Sequence, residues 1–215
     1  MQVTEMEYAS YLSYTPRPQS QEQRSSKDVT LMLKNNEMWS GTPLSTAEYI
    51  IWQMAKKVER LPLYDFFRNK LVLVPMPSSS LQRPGSLWAP RCISSALVRN
   101  GLGIRVVECL ARVRAVQKSS RSLPEERPRA TNHYNTLGVE TVHGAGEILI
   151  IDDVITRGAS MMGAANRLAD AFPDAKIRGF AITRTVSRSE EFRSIEDPQI
   201  GSIRLEANGE TCRKP

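Results

Sequence analysis

Two carboxylates, Asp152 and Asp153, follow directly on the apolar run Ile148-Leu149-Ile150-Ile151. A continuous run of that kind is what a strand buried on both faces of a parallel sheet requires. The acids therefore emerge together at the strand's carboxyl end, the edge where open α/β sheets bind ligands. Adjacent acids there repel each other and lose hydration unless something cationic or rich in hydroxyls sits with them. Ionised carboxylates only accept hydrogen bonds, which suits the cis hydroxyls of a ribose. They also suit Mg²⁺, which prefers oxygen ligands.

The next residues are Thr156, Arg157, Gly158, Ala159 and Ser160, and they open a helix. A glycine lets the backbone turn its N–H groups into one concavity. The helix N-terminus adds partial positive charge, and the hydroxyls of Thr156 and Ser160 add donors. Acids for a sugar and a nest for its 5′-phosphate, a few residues apart, match the shape of one ribose 5-phosphate.

These residues need a scaffold, and the pattern supplies one. Ser45 and Glu48 form a capping box ahead of Ile50, Ile51, Met54 and Val58, which predicts a helix over about 46–60, ended by Pro62. Leu71 to Pro75 reads as a second buried strand, followed by the loop Met76-Pro77-Ser78-Ser79-Ser80. A helix over about 87–99, stopped at Asn100-Gly101, a strand over 104–109, a helix over 160–171 and a strand over 175–182 follow. Residues 200–205 offer a last strand. Strands alternating with helices predict an α/β fold, an open, mainly parallel twisted sheet with helices on both faces. Residues 1–27 read as a polar N-terminal arm, with 28–215 as the domain proper. Residues 28–33 fit strand or helix. The stretch 111–146 shows no sustained period and carries Arg112, Arg114, Lys118, Arg121, Arg127 and Arg129; so long a loop is functional or disordered.

Composition narrows the class. The 215 residues are 40% hydrophobic and 24% charged, as in ordinary globular proteins. A net charge of +6 and a pI near 9.4 favour an anionic partner, small-molecule phosphate or nucleic acid alike. Cys92, Cys109 and Cys212 form no CxxC pair, which argues against zinc and a disulfide framework and for a cytoplasmic setting. No stretch reaches the ~20 apolar residues of a membrane span.

Residues 148–160 resemble the signature of type I phosphoribosyltransferases, which bind 5-phosphoribosyl 1-diphosphate (PRPP). Within that family the chain is most similar to ComF-type, competence-associated proteins. Leu33-Lys34, Val74-Pro75-Met76-Pro77 and the layout of 112–139, with Gln117, Glu126-Arg127 and Asn135, carry the rest of the resemblance, which spans about residues 28–185. It implies a type I phosphoribosyltransferase-like domain that moves a phosphoribosyl group to a base-like acceptor and releases pyrophosphate. It also implies that Asp152 and Asp153 hold the ribose hydroxyls and Mg²⁺, and that Thr156, Arg157, Gly158, Ala159 and Ser160 bind the 5′-phosphate. Ser78 and Ser79 would lie in the pyrophosphate loop, with Lys118 or Arg121 closing over it as the catalytic cations. A variable acceptor hood would draw on residues 1–45 and 185–215. The chain departs from the family in four places, one being Arg157, where the family usually has a small residue or Thr. It lacks the cysteine-rich zinc module that ComF-type relatives often carry. It has Thr156 where purine-salvage members have an acid, and no basic residue directly after the Val-Pro-x-Pro segment.

Plainer readings stand beside these. The acid pair could merely cap the next turn, Ser78–Ser80 could be an ordinary turn, and the basic stretch could be solvated chain. His133 and His143 read as incidental, and Trp39, Trp52 and Trp88 as packing. A PRPP- or nucleotide-sensing regulator and a competence- or DNA-processing-associated protein are the competing functions, though no nucleic-acid motif appears. PRPP or another ribose 5-phosphate is the expected partner, with a homodimer left open and no membrane.

Overall fold

The structure is a computed structural model that describes residues 1–67, 70–81, 85–117, 127–140 and 146–215. In chain order the elements are β1 (Glu5–Tyr14), α1 (Gln21–Asn35), α2 (Thr46–Ala55), α3 (Tyr64–Phe67), β2 (Val72–Pro75), α4 (Ala89–Arg99), β3 (Arg105–Val106), β4 (Leu110–Arg112), α5 (Ala130–Asn135), β5 (Leu137–Val139), β6 (Glu147–Ile155), α6 (Ala159–Ala171), β7 (Lys176–Thr185), β8 (Glu196–Leu205) and β9 (Thr211–Lys214). Seven strands form one sheet in the order β3-β2-β6-β7-β1-β8-β9. The first five run parallel, and β8 and β9 extend the sheet antiparallel. A two-stranded ribbon, β4 with β5, stands apart.

Strand alternation explains why the two apolar runs are unbroken. Leu73, Leu149 and Ile151 pack on one face beneath α1, α2, α3 and α4. Val72, Val74, Ile148 and Ile150 pack on the other beneath α5 and α6. Helices thus cover both faces, as the sequence predicts, and side chains of both parities must be apolar. Caps set several helix boundaries. The Ser45–Glu48 box starts α2 as expected, but the helix ends at Ala55, with a single 3₁₀ turn at Val58–Arg60 ahead of Pro62. Residues 28–33 are helical, inside α1.

The largest difference from the sequence reading lies at the N-terminus. Residues 1–27 were expected to be a polar arm. Instead β1 lies between β7 and β8, with Tyr8 opposite Gly179 on one side and Gly201 on the other. Tyr8 and Tyr11 are buried on opposite faces of the sheet. The rest of the expected arm begins α1, where Ser20 and Gln23 form a second capping box. A buried Gln23 then donates to the Ser189 carbonyl at 2.7 Å, which ties this start to the distant C-terminal segment. At the other end, residues 196–214 are not a separate cover but the antiparallel edge of the same sheet. Among the described residues no helix is long and apolar enough to cross a membrane, and Cys92, Cys109 and Cys212 are free thiols.

Candidate functional site

The carboxyl ends of β2, β6, β7 and β1 lie along one edge of the sheet. Strand order reverses between β2 and β6, since β3 lies beyond β2 on one side and β7 beyond β6 on the other. A crevice forms at such a reversal. Asp152 and Asp153 sit in the last turns of β6 beside it, and Met76, just past β2, donates its N–H to the Ile151 carbonyl at 2.8 Å.

A cavity of about 580 Å³ opens at this edge. Asp153, Thr156, Arg157, Gly158, Ala159 and Ser160 all line it, so six of the expected site residues share one wall. Tyr14, Arg17 and Lys34 of the N-terminal segment line it as well, with Thr185 at the end of β7 and Ser187 just past it. So do Arg127 and His133. Four cations, Arg17, Lys34, Arg127 and Arg157, therefore face one lining carboxylate, which is the electrostatic character of an anion site.

The loop from β6 into α6 has the conformation its sequence suggests. Gly158 is the N-cap of α6 with φ +85°, a left-handed backbone that disfavours any L side chain. A Cβ there would also stand 2.8 Å from the Ile203 side chain on β8. No side chain caps α6, so the N–H groups of its first turn remain for a ligand. Thr156 Oγ1 lies 3.0 Å from Thr185 Oγ1, joining the ends of β6 and β7. Arg157 leans toward Glu210, its Nη1 4.0 Å from the carboxylate, and still lines the cavity.

The two acids are not equivalent. Asp152 Oδ1 accepts the Asp153 N–H at 2.9 Å, and Asp153 Oδ1 accepts the Val154 N–H at 2.9 Å. The plain capping reading is therefore part of the story: each carboxylate accepts one backbone N–H, and the two side chains also interact with each other. Burial, then the Asp153 charge, raise Asp152 well above the usual carboxylate range, and Lys34 pulls it partly back. A protonated or cation-neutralised Asp152 is thus favoured. Among the described residues no three His, Cys, Asp or Glu side chains gather into a metal cluster. Two adjacent carboxylates nonetheless supply the hard oxygen donors that suit an Mg²⁺ completing its shell with water and substrate oxygens.

Ser78 and Ser79 do not line the cavity. Ser78 Oγ donates to the Ser80 carbonyl at 2.7 Å, and the Ser79 carbonyl accepts from Val116 N at 2.8 Å, so this turn is closed on itself. It is still coupled to the site through Arg112, whose Nε donates to the Ser78 carbonyl at 3.1 Å and whose charge acts on Asp152. Lys118 and Arg121, expected as catalytic cations, lie outside the described residues.

The sequence reading missed His133 and undervalued Arg112. Arg112 is buried, with its Nη1 on Thr136 Oγ1 at 2.7 Å, and burial pushes its pKa down to about 10. It is a fixed internal cation rather than part of a mobile basic loop. His133, 21 residues away and read as incidental, is also buried and lines the cavity. Burial and the Arg112 charge push its pKa from 6.5 down to about 4. Nothing local marks either residue, because only the docking of α5 on α6 brings them to the site.

The His133 shift has a consequence for stability. The unfolded imidazole protonates near 6.5 and the folded one only near 4, so its contribution is full above pH 6.5 and is lost as pH falls toward 4. Asp152 has the opposite sign, since its raised folded pKa favours the acid side. Comparing melts of wild type and His133→Gln isolates the histidine: between pH 7 and pH 4.5 the wild type should lose more stability than the variant.

A basic residue of the last strand supports the loop from below. Arg213 donates from Nη2 to the Thr185 carbonyl at 2.6 Å and from Nη1 to the Ile155 carbonyl at 3.3 Å, clamping the ends of β7 and β6. Arg213→Met removes both of these hydrogen bonds. It should cost about 1–3 kcal/mol in thermal or urea unfolding, and should weaken ribose 5-phosphate binding as well.

No family model and no curated protein matches the chain. Among solved structures it is similar to a hypoxanthine phosphoribosyltransferase from Staphylococcus aureus, at 12% identity over 68% of this chain and 70% of that one, with a TM-score of 0.36. It is similar to the adenine phosphoribosyltransferase of Saccharomyces cerevisiae at 17% identity, over 74% and 89% of the two chains, with a TM-score of 0.35. A hypoxanthine-guanine phosphoribosyltransferase from Bacillus anthracis shows 13% identity over 70% and 73%, with a TM-score of 0.31. All three neighbours are phosphoribosyltransferases. At these scores the likeness carries no part of the reading below, which rests on the geometry of the site.

Proposed function

We propose that the chain is an Mg²⁺- and PRPP-dependent phosphoribosyltransferase of the type I kind, nearest to the ComF-type proteins, acting on a base-like acceptor. One observation carries this: the Asp153 carboxylate and the uncapped first turn of α6 face the same cavity, with Gly158 at φ +85° between them. A carboxylate and an anion nest at that spacing suit the hydroxyls and the 5′-phosphate of one ribose 5-phosphate.

In this reading the carboxylate oxygens of Asp152 and Asp153 accept from the ribose hydroxyls and hold Mg²⁺. The N–H groups and hydroxyls of Thr156 to Ser160, with Arg157, take the 5′-phosphate. Lys118 or Arg121 approaches the pyrophosphate from the basic stretch, and the Ser78–Ser80 turn, which stands outside the cavity, supports that side through its bond to Arg112. Bound Mg²⁺ would supply positive charge beside the departing pyrophosphate. The acceptor's lone pair forms a bond to C1 of the ribose as the C1–O bond breaks, its electron pair leaving with pyrophosphate, and the acceptor's proton passes to solvent. The protein's contribution is positioning and the fixed charges around the leaving group.

The assay is pyrophosphate release from PRPP and Mg²⁺ across a panel of purine, pyrimidine and simple amine acceptors. Acceptor-dependent release that fails without Mg²⁺ is the expected result. Tight PRPP binding with no release from any acceptor would transfer the site to a sensing role.

A further inference from the structure

We propose that His133 is a further phosphate-binding residue, donating a hydrogen bond from Nε2 to the anion seated on the first turn of α6. The inference rests on the reading of that helix end as a phosphate site, and adds to it a residue from a different element.

Helix α5 sits directly on α6. A Cβ on Gly163 would stand 2.6 Å from His133 Cβ and 2.7 Å from the Ala130 carbonyl, so only a glycine admits this approach. Gly163 is one turn past Ala159, which places His133 beside the start of α6. His133 is only 6% exposed and lines the same cavity as residues 156–160. Its Nδ1 is wholly buried with no hydrogen-bond partner. Nε2 is not shut in this way and makes no hydrogen bond among the described residues.

With no acceptor beside it, Nδ1 is better left without a proton, since orphaned buried N–H groups are rarer than orphaned acceptors. A neutral imidazole has one donor nitrogen and one acceptor. With the proton on Nε2, the donor is the nitrogen that reaches the cavity, where an anion can pair with it. With the proton on Nδ1, a lone pair would face the anion and repel it. Arg112 holds the arrangement from behind, its Nη1 3.5 Å from the His133 carbonyl and 2.7 Å from Thr136 Oγ1. Its charge also disfavours a second charge on the ring, so His133 acts as a donor without taking up a proton. Arg127 Nε is likewise buried without a partner among the described residues. Both side chains line the cavity that would hold the oxyanion.

The test is calorimetric titration of the full chain with ribose 5-phosphate, using His133→Met and His133→Gln, together with ¹⁵N imidazole spectra of the wild type. Both variants keep the length of the side chain, and Gln retains a donor near the Nε2 position. His133→Met should weaken binding about tenfold or more, and His133→Gln by no more than about twofold. In the wild type, saturation should leave Nε2 protonated and move its signal. Equal affinity in wild type and His133→Met, or imidazole signals unmoved at saturation, overturns the proposal while leaving the phosphate site intact. Should His133→Met fail to fold, the wild-type spectra decide alone. A wild type that does not bind ribose 5-phosphate overturns the phosphate site and this role together.

Discussion

The Asp152→Asn/Asp153→Asn double variant is expected to lose Mg²⁺-dependent PRPP binding by at least about a hundredfold while keeping its fold. Hydrogen bonds to charged groups are worth about 1.5–3 kcal/mol each, and every 1.4 kcal/mol is tenfold in affinity, so losing two carboxylate acceptors reaches that size. Retention of the fold follows from the local geometry. Each carboxylate's structural task is to accept one backbone N–H, which an amide oxygen still performs. The raised pKa of Asp152 marks a carboxylate held against its preference, by burial first and by Asp153 next. Its folded pKa lies above the unfolded one, so the stability tied to it is present in acid and lost as pH rises. Removing the charge should therefore leave the melting temperature at pH 7 unchanged or higher, and flatten its decline as pH rises above the ordinary carboxylate range. Thermal melts across that range check the second half of the prediction, and a melting temperature lowered by the double substitution would contradict it.

Gly158→Ala should damage both stability and binding. A non-glycine residue in the left-handed region costs about 1–2 kcal/mol by itself, and the new Cβ would meet Ile203, 2.8 Å away in the sheet core. A total loss of about 2–3 kcal/mol in denaturant unfolding is expected, with ribose 5-phosphate binding reduced by well over tenfold because the same residue aims the N–H groups of α6. Ile203→Ala removes all three atoms the new Cβ would meet but leaves the backbone conformation. Measured against Ile203→Ala alone, Gly158→Ala should cost less stability than in the wild type and still lose binding, which separates packing from loop geometry.

The site's core was legible because its residues are contiguous. Apolar residues at 148–151, acids at 152–153 and a glycine at 158 make one strand, one edge and one helix start, and each step follows from local chemistry. The scaffold around it was legible where periodicity or caps speak, as in β2, α2 and α6. Strand β1 was not. Its sequence, Glu-Met-Glu-Tyr-Ala-Ser-Tyr-Leu-Ser-Tyr, is polar in composition, yet Ser10 and Ser13 are as buried as Tyr8 and Tyr11. What makes it a central strand is pairing with residues about 170 positions away on β7 and 190 on β8, a long-range preference that no local window carries. With β1 misread as an arm, residues 1–45 were expected only as part of an acceptor hood, and Tyr14 and Arg17 could not be singled out as lining residues. Arg112 and His133 were hidden for the same reason, since a buried cation and a buried imidazole look in sequence like any residues of a polar loop. The Ser78–Ser80 turn went the other way: its hydroxyls invite a ligand reading, while in the fold they bond to one another.

The most direct test of the whole account is calorimetric titration of the wild-type chain with PRPP, with and without Mg²⁺, beside the Asp152→Asn/Asp153→Asn variant. Saturable, one-to-one binding that strengthens with Mg²⁺ and disappears in the variant is the predicted result. A wild type that takes up no PRPP under either condition, or a variant that binds it as tightly as the wild type, would contradict the assignment of this cavity.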